Sequence, residues 1–423
     1  MSKKWLITTP MISRIMGSTV VAYELAMQLK ATGDEVIVYT DFLGMPFREY
    51  FENADISVVK ADDNLSLSIY DFDFVWAQSQ VLPLSMIDEL AAGVDKDESS
   101  AKFIFNHMSG QPLQIAPDEM PYIPRLEEKI ADLSVFVSEE AKLANEPWIG
   151  QSQTFLFPNP VNDSYVDKIR NINDLKKVMV VTNHDVPELE KAIELLEDHD
   201  IAVSRLGTGT NSEYRLITPN DFDGVDLVIT MGKTVQYALM QNIPVYVYGR
   251  FAGPGYLTTS NLQLTAKNNF SGRGFETRKS ADELVEEIIS GFHQALAFQS
   301  ANYANFYETY SMKVLIEKIQ RLIGDNSPKS SNLSLEKSYW QNVEGLTKIV
   351  SARFIAWGVE EARAENEKRL EEQIRILQKE QQTLKDDLAR ERQELGRILN
   401  SRAFRVGSHL MRPAYRLKNL RRK

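Results

Sequence analysis

Short, unbroken apolar runs recur down this chain between helix-compatible stretches, and this alternation constrains the fold more than any single motif. Trp5–Thr9, Glu35–Thr40, Phe74–Gln78, Lys102–Asn106 and Leu133–Ser138 form a first set. A strand inside a parallel sheet is covered on both faces, so it reads as continuously apolar rather than alternating. Ser18–Lys30 (STVVAYELAMQLK) is helix-compatible, with Ala31-Thr32-Gly33-Asp34 as its stop signal. Phe155–Val161 (FLFPNPV) reads as an extended crossing. A second set follows in Lys177–Thr182, Ile201–Leu206, Asp226–Thr230 and Pro244–Tyr248. Its helices are Glu188–Leu196 and Val235–Gln241, closed by Ala281–Ala297 and Ser311–Ile323. The pattern predicts an α/β protein of two Rossmann-like domains, residues 1–165 and 166–324, with a ligand cleft between them.

The sharpest local signal lies in Val225–Tyr256 (VDLVITMGKTVQYALMQNIPVYVYGRFAGPGY). A strand ends, Met231-Gly232-Lys233-Thr234 turns, and a helix begins. A helix starting on such a turn directs unpaired N–H groups and the positive end of its dipole above the sheet, where a phosphate is held. Gly-Lys-Thr suggests a P-loop, but that motif needs a glycine five residues before Gly232, and position 227 is Leu. Two Asp-x-Asp triplets, Asp71-Phe72-Asp73 and Asp221-Phe222-Asp223, suggest a divalent-metal site. Each precedes a strand, and solvated loop acids explain them better. No metal site is expected.

Composition narrows the chemistry. The chain holds no cysteine, which excludes disulfides and thiolate metal sites, and only five histidines. MSKKWLITTP lacks the apolar core of a signal peptide, and no run of apolar residues is long enough to span a bilayer. The cytoplasm is the expected compartment. Net charge is −11, but residues 401–423 carry eight Lys/Arg and no acid, which leaves a body of −19. That distribution argues against nucleic-acid binding and for a localised anionic partner of the tail.

The C-terminal part changes character. Gly324–Ser334 (GDNSPKSSNLS) is linker-like, so residues 325–345 read as a linker and 346–400 as a helix. Leu370, Ile374, Leu377, Gln381, Leu384, Leu388, Glu391, Leu395 and Ile398 alternate spacings of four and three. This is a heptad seam, predicting a dimeric coiled coil, although a single solvated helix or one folded back on the body fits the same pattern. Residues 401–423 then interleave apolar side chains with the eight cations, as in a segment lying on an anionic membrane. Pro413 divides it into two short helices. A disordered basic tail is the alternative.

With both halves laid out, the chain resembles glycosyltransferases of the GT-B fold, its first half looking most like family 4. The resemblance rests on Gly17-Ser18 before VVAYELAMQLKATGDEVIVYT, FIFNHMS around His107, VFVSEEAK from Val135 and FPNPVND from Phe157. The second half adds the Gly-Lys-Thr turn, AGPGY (Ala252–Tyr256) and NFSGRG (Asn269–Gly274). LNSRAFRVG near the end looks like the ending of bacterial surface-polysaccharide glycosyltransferases. The resemblance implies a nucleotide-sugar donor as substrate and no separate cofactor. Gly232, Lys233 and Thr234 would line the donor diphosphate, and Gly17 and Ser18 would touch it across the cleft. Gly253 and Gly255 would give the backbone close approach, Arg273 would be a second phosphate cation, and Asn159 would shape the crossing. His107 matches a histidine placed near the transferred sugar, and a hydrogen-bonded histidine at a strand end fits the position equally well. For His184 a turn role is expected.

One departure stands out. The two glutamates of family 4, eight positions apart, align with Ile229 and Tyr237. Neither replaces a carboxylate on a hydroxyl, so retention or inversion is open. The expected function is transfer of a sugar to a lipid-linked or surface glycan, on the inner face of the membrane. The alternatives are a non-catalytic scaffold of the same fold, acting through its coiled coil and tail, and a sugar-nucleotide epimerase.

Overall fold

A computed structural model describes residues 2–63, 65–92, 100–110, 123, 125–166, 172–208, 212–324, 337–407 and 409–410. The first half runs β1 (Lys4–Ile12), α1 (Gly17–Ala31), β2 (Glu35–Leu43), α2 (Phe47–Asn53), β3 (Ser57–Lys60), β4 (Phe74–Gln78) and α3 (Leu84–Ala91). It continues with β5 (Lys102–His107), α4 (Leu126–Ile130), β6 (Ala131–Phe136), α5 (Glu139–Ile149) and β7 (Thr154–Leu156). All seven strands are parallel, in the order β3-β2-β1-β4-β5-β6-β7. Strand order reverses between β1 and β4, the point at which an open α/β sheet leaves a crevice at its carboxyl ends. β4 is buried at every position, as its unbroken apolar run requires.

The second half holds β8 (Lys177–Thr182), α6 (Pro187–Asp198), β9 (Ala202–Gly207), β10 (Leu227–Thr230), α7 (Lys233–Met240), β11 (Val245–Gly249) and β12 (Ala252–Tyr256). Then come α8 (Leu262–Lys267), α9 (Ala281–Tyr310) and α10 (Met312–Gly324). Its sheet order is β12-β11-β10-β8-β9, parallel except for the β11–β12 hairpin. The expected pair of Rossmann-like domains is therefore present. The chain also returns to the first half: Val161 N–H donates to Tyr310 O at 2.7 Å, and Met312 N–H donates to Val161 O at 3.0 Å. One core joins the two halves, with Trp5, Val161, Tyr237 and Ile319 all buried within it.

The C-terminal helix α11 spans Lys337–Asn400, so residues 337–345, read from composition as linker, are helical. The reason is burial. Trp340 and Val343 join the core that contains Leu6, Val75 and Phe103, and Phe354 is buried as well. Residues 325–336 lie outside the described residues. The chain divides into two compact units, Met1–Gly358 and Val359–Lys423. In the second, the helix continues to Asn400 with its surface exposed. The basic segment is helical over 402–407, and the expected break at Pro413 falls outside the described residues. No described helix is long and apolar enough to cross a membrane.

Candidate functional site

A cavity of about 310 Å³ opens where the carboxyl ends of the two sheets face each other. From the first half it is lined by Ile15, Met16, Gly17 and Val20, at the end of β1 and the start of α1. From the second half come Asn183 after β8, Gly207 at the end of β9, and Met231, Gly232, Lys233 and Thr234 at the start of α7. Asn159 and Asn269 border it, joined by an Nδ2–H···Oδ1 hydrogen bond of 2.9 Å. Each half thus contributes its strand-reversal point.

Two helix N-termini meet in this cavity. α1 begins at Gly17 behind Met16, with no side-chain cap on its first amides. α7 begins behind Gly232, whose φ of +67° suits glycine, and it too lacks a side-chain cap. The Gly232 N–H is already used, donating to Phe270 O at 2.9 Å. The first-turn amides of Lys233 and Thr234 are left to face the cavity. Ser18, expected at the site with Gly17, is the second residue of α1 and half-exposed, but it does not line the cavity. The geometry gives an anion two partly positive helix ends at once. Among the described lining residues there is no Asp, Glu or His.

Lys233 does not extend freely into the cavity as the sequence reading expected. Its ammonium lies 2.9 Å from Glu24 Oε2, with both side chains nearly inaccessible. It also donates to Asn159 O at 3.1 Å and to Pro160 O. Tyr237 donates its hydroxyl to Glu24 Oε1, places its ring 4.8 Å beneath the Lys233 ammonium, and stacks on Tyr165 at 4.4 Å. Burial pulls the Lys233 pKa down, opposed by the Glu24 charge. Burial, then Glu24, pushes the Tyr237 hydroxyl far up. A cluster from α1 and α7 therefore ties the two halves together directly below the cavity floor. Tyr237 binds a carboxylate from the opposite half where family 4 would place a carboxylate of its own. Ile229 is fully buried in β10.

Other expected site residues are placed elsewhere. The Arg273 guanidinium pairs with Glu140 on α5 and does not line the cavity. Gly253 and Gly255 belong to β12. A Cβ at Gly253 would meet Val247 O at 2.0 Å, so close strand pairing, not ligand approach, demands glycine there. Gly255 has φ +79° and sits against Tyr246, Glu287 and Lys279. His107 ends β5 with its side chain wholly buried, Nε2 2.9 Å from Glu127 Oε2, and its ring stacked on Phe136. Glu127 also accepts from Gln80 Nε2 and Ser134 Oγ, each at 2.8 Å. His107 is thus enclosed in a hydrogen-bonded network and touches no described cavity. His184 forms a turn with Thr182, its N–H donating to Thr182 Oγ1 at 3.2 Å. The acids of the Asp-x-Asp triplets hold loops: Asp73 accepts from Lys4 N–H at 2.8 Å, and Asp221 binds Arg215.

Three participants escaped the sequence reading: Glu24, Arg215 and Asn269. Glu24 had a legible signal, an acid on the buried side of an otherwise apolar helix. Arg215 lines the cavity, with its charge met by Asp221 at 2.5 Å and Glu213 at 3.0 Å. It also borders a second, largely apolar cavity of about 380 Å³ whose walls include Tyr23, Met27, Tyr50 and Tyr237.

No protein-family model matches the chain, and no curated protein matches it. Among solved structures, it is similar to a glycosyltransferase from Rickettsia africae, at 14% identity and a TM-score of 0.47, over 77% of this chain and 100% of that one. Anabaena HepE in complex with UDP-glucose gives the same figures. MnaA of S. aureus, solved with UDP, matches at 13% identity and a TM-score of 0.43, over 77% of this chain and 99% of that one. Likeness of this size carries nothing about the chemistry of this chain.

Proposed function

We propose that this chain is a glycosyltransferase that takes a sugar from a nucleotide-sugar donor and passes it to a glycan or lipid-linked acceptor. The observation that carries the reading is the convergence of two uncapped helix N-termini, of α1 and α7, on one cavity between two Rossmann-like sheets. Such ends suit a diphosphate, whose negative charge grows as the glycosidic bond to the sugar breaks. Fixed dipoles aimed at that charge stabilise the transition state without reorganising. Lys233, its charge met by Glu24, braces the floor beneath α7 without offering a free cation. The donor is the substrate, and the reading requires neither a resident cofactor nor a metal. The basic segment 401–423 would hold the enzyme on an anionic membrane at the cytoplasmic face, where lipid-linked acceptors sit, and α11 would pair two copies.

A second reading, a non-catalytic scaffold of the same fold, is favoured by one specific finding. Both expected phosphate cations are neutralised across the domain boundary, Lys233 by Glu24 and Arg273 by Glu140. Thermal-shift measurements with UDP-, GDP-, dTDP- and CDP-sugars separate the readings. Binding to the native state raises the melting temperature in proportion to RT ln(1 + [L]/Kd). We expect a shift with one nucleotide class, followed by its hydrolysis or transfer. A shift without turnover supports the scaffold, and no shift with any donor sinks the transferase.

A further inference from the structure

Beyond Gly358, α11 carries a stripe of large apolar side chains along one face of the helix. Leu370, Ile374, Leu377, Leu384, Leu388, Leu395 and Ile398 are between 47% and 69% exposed. We propose that this stripe pairs with the same stripe of a second copy of this chain, as a parallel, in-register, two-stranded coiled coil over residues 370–398. The inference rests on the pairing of two copies through α11 and is independent of the transferase chemistry.

The spacing assigns the heptad. Ile374, Gln381, Leu388 and Leu395 fall at a, and Leu370, Leu377, Leu384, Glu391 and Ile398 at d. The flanking charges then decide direction. In a parallel pair each g residue faces the e residue five places on in the other helix. Glu380 meets the partner's Lys385, and Asp387 meets the partner's Arg392, both attractive. In an antiparallel pair g faces g, and every charged g residue of this stretch is an acid: Glu380, Asp387 and Glu394. Those contacts repel.

The polar seam residues agree. In register, Gln381 lies opposite Gln381 of the other copy, where two amides bond each other inside the seam. A single polar a layer of this kind specifies register at a cost in stability. Antiparallel packing would set Gln381 against an apolar d residue instead. Glu391 lies opposite itself in the parallel pair and weakens that layer. The arrangement has a consequence for the tails: both basic segments leave the same end of the pair. A flat anionic surface would then be met by two of them at once.

The absence of cysteine makes orientation directly measurable in the full-length chain. Facing d positions of a parallel pair come within the reach of a disulfide. Sedimentation equilibrium at micromolar concentration should give a dimer. Leu370→Cys and Ile398→Cys, oxidised separately, should each form a linked dimer. Linking of Leu370→Cys only when it is mixed with Leu395→Cys, a d position against an a position, would show an antiparallel pair and overturn the proposal. A monomer, trimer or tetramer would overturn the two-stranded pairing itself, and leaves the donor thermal shift as a separate question. Leu384→Glu should yield a monomer whose body melts unchanged. Glu391→Leu should strengthen association at least tenfold, and unchanged association would contradict its seam position.

Discussion

Residues 338–358 and 359–400 belong to one continuous helix, yet they use apolar side chains in opposite ways. In the first stretch Trp340 is 4% exposed and Phe354 2%; in the second Leu377 is 61% exposed and Leu384 69%. Helix propensity does not separate them. The first stretch presents large and small residues of mixed shape, Trp340, Val343 and Phe354 among them, matched to the surface of one particular domain. The second repeats its apolar residues in strict fours and threes, which matches only another helix of the same repeat. The lesson is that burial in this chain is set by what each segment faces, and the body and the distal helix should respond independently to mutation.

The largest test of that independence lies in the body. Lys233→Ala leaves Glu24 buried without its cation, which costs about 3–5 kcal/mol. Chemical denaturation of the body should show that loss while association through α11 is untouched. The double variant Glu24→Gln with Lys233→Met should recover most of it, since no charge is then stranded. Association that weakens in step with the body would break the comparison.

A paired substitution on α11 itself sharpens it. Phe354→Ala empties a buried site and should cost the body about 3 kcal/mol. Leu384→Ala, chemically milder but only thirty residues further on, should leave body stability unchanged and lower only the dimer affinity. Equal losses in the body would show that the distal seam is covered in solution by the chain's own domains.

The smallest effect concerns the contact where the docked stretch meets β2. Asp41 Oδ1 accepts from Ser351 Oγ at 2.7 Å, and burial lifts the Asp41 pKa to about 6 from its ordinary 3.8, with Ser351 opposing. A raised acid pKa means that folding favours the protonated form. Stability from this group is therefore greatest below about pH 4, falls as pH rises through 6, and is flat above. Asp41→Asn should remove that slope and leave the body more stable at pH 7 than the parent chain. A slope retained in the variant would place the titration elsewhere.

Much of the fold was legible because its signals are local. Phe74–Gln78 and Lys177–Thr182 coincide with β4 and β8, since fully covered strands must be apolar throughout. β3, β7 and β12 were missed because edge strands are short and half-covered, and AGPGY is too glycine-rich to resemble a strand. Of the residues expected at the site, Gly17, Gly232, Lys233 and Thr234 line the cavity. His107, Arg273, Gly253 and Gly255 do not. Each of the latter was chosen by motif position, and each is held by partners that its neighbours in sequence do not reveal.

Periodicity, chain order and charge by themselves determined two Rossmann-like halves, an uncapped helix after Gly232 and a heptad seam after Gly358. These are properties of neighbouring residues, and secondary structure obeys neighbours. The tertiary structure alone decided how the charges are used. Glu24 and Tyr237 are 213 positions apart, and Glu140 and Arg273 are 133 apart. A buried cation must take the nearest carboxylate because desolvation leaves it no alternative. Which carboxylate is nearest is fixed only when the two halves close on each other.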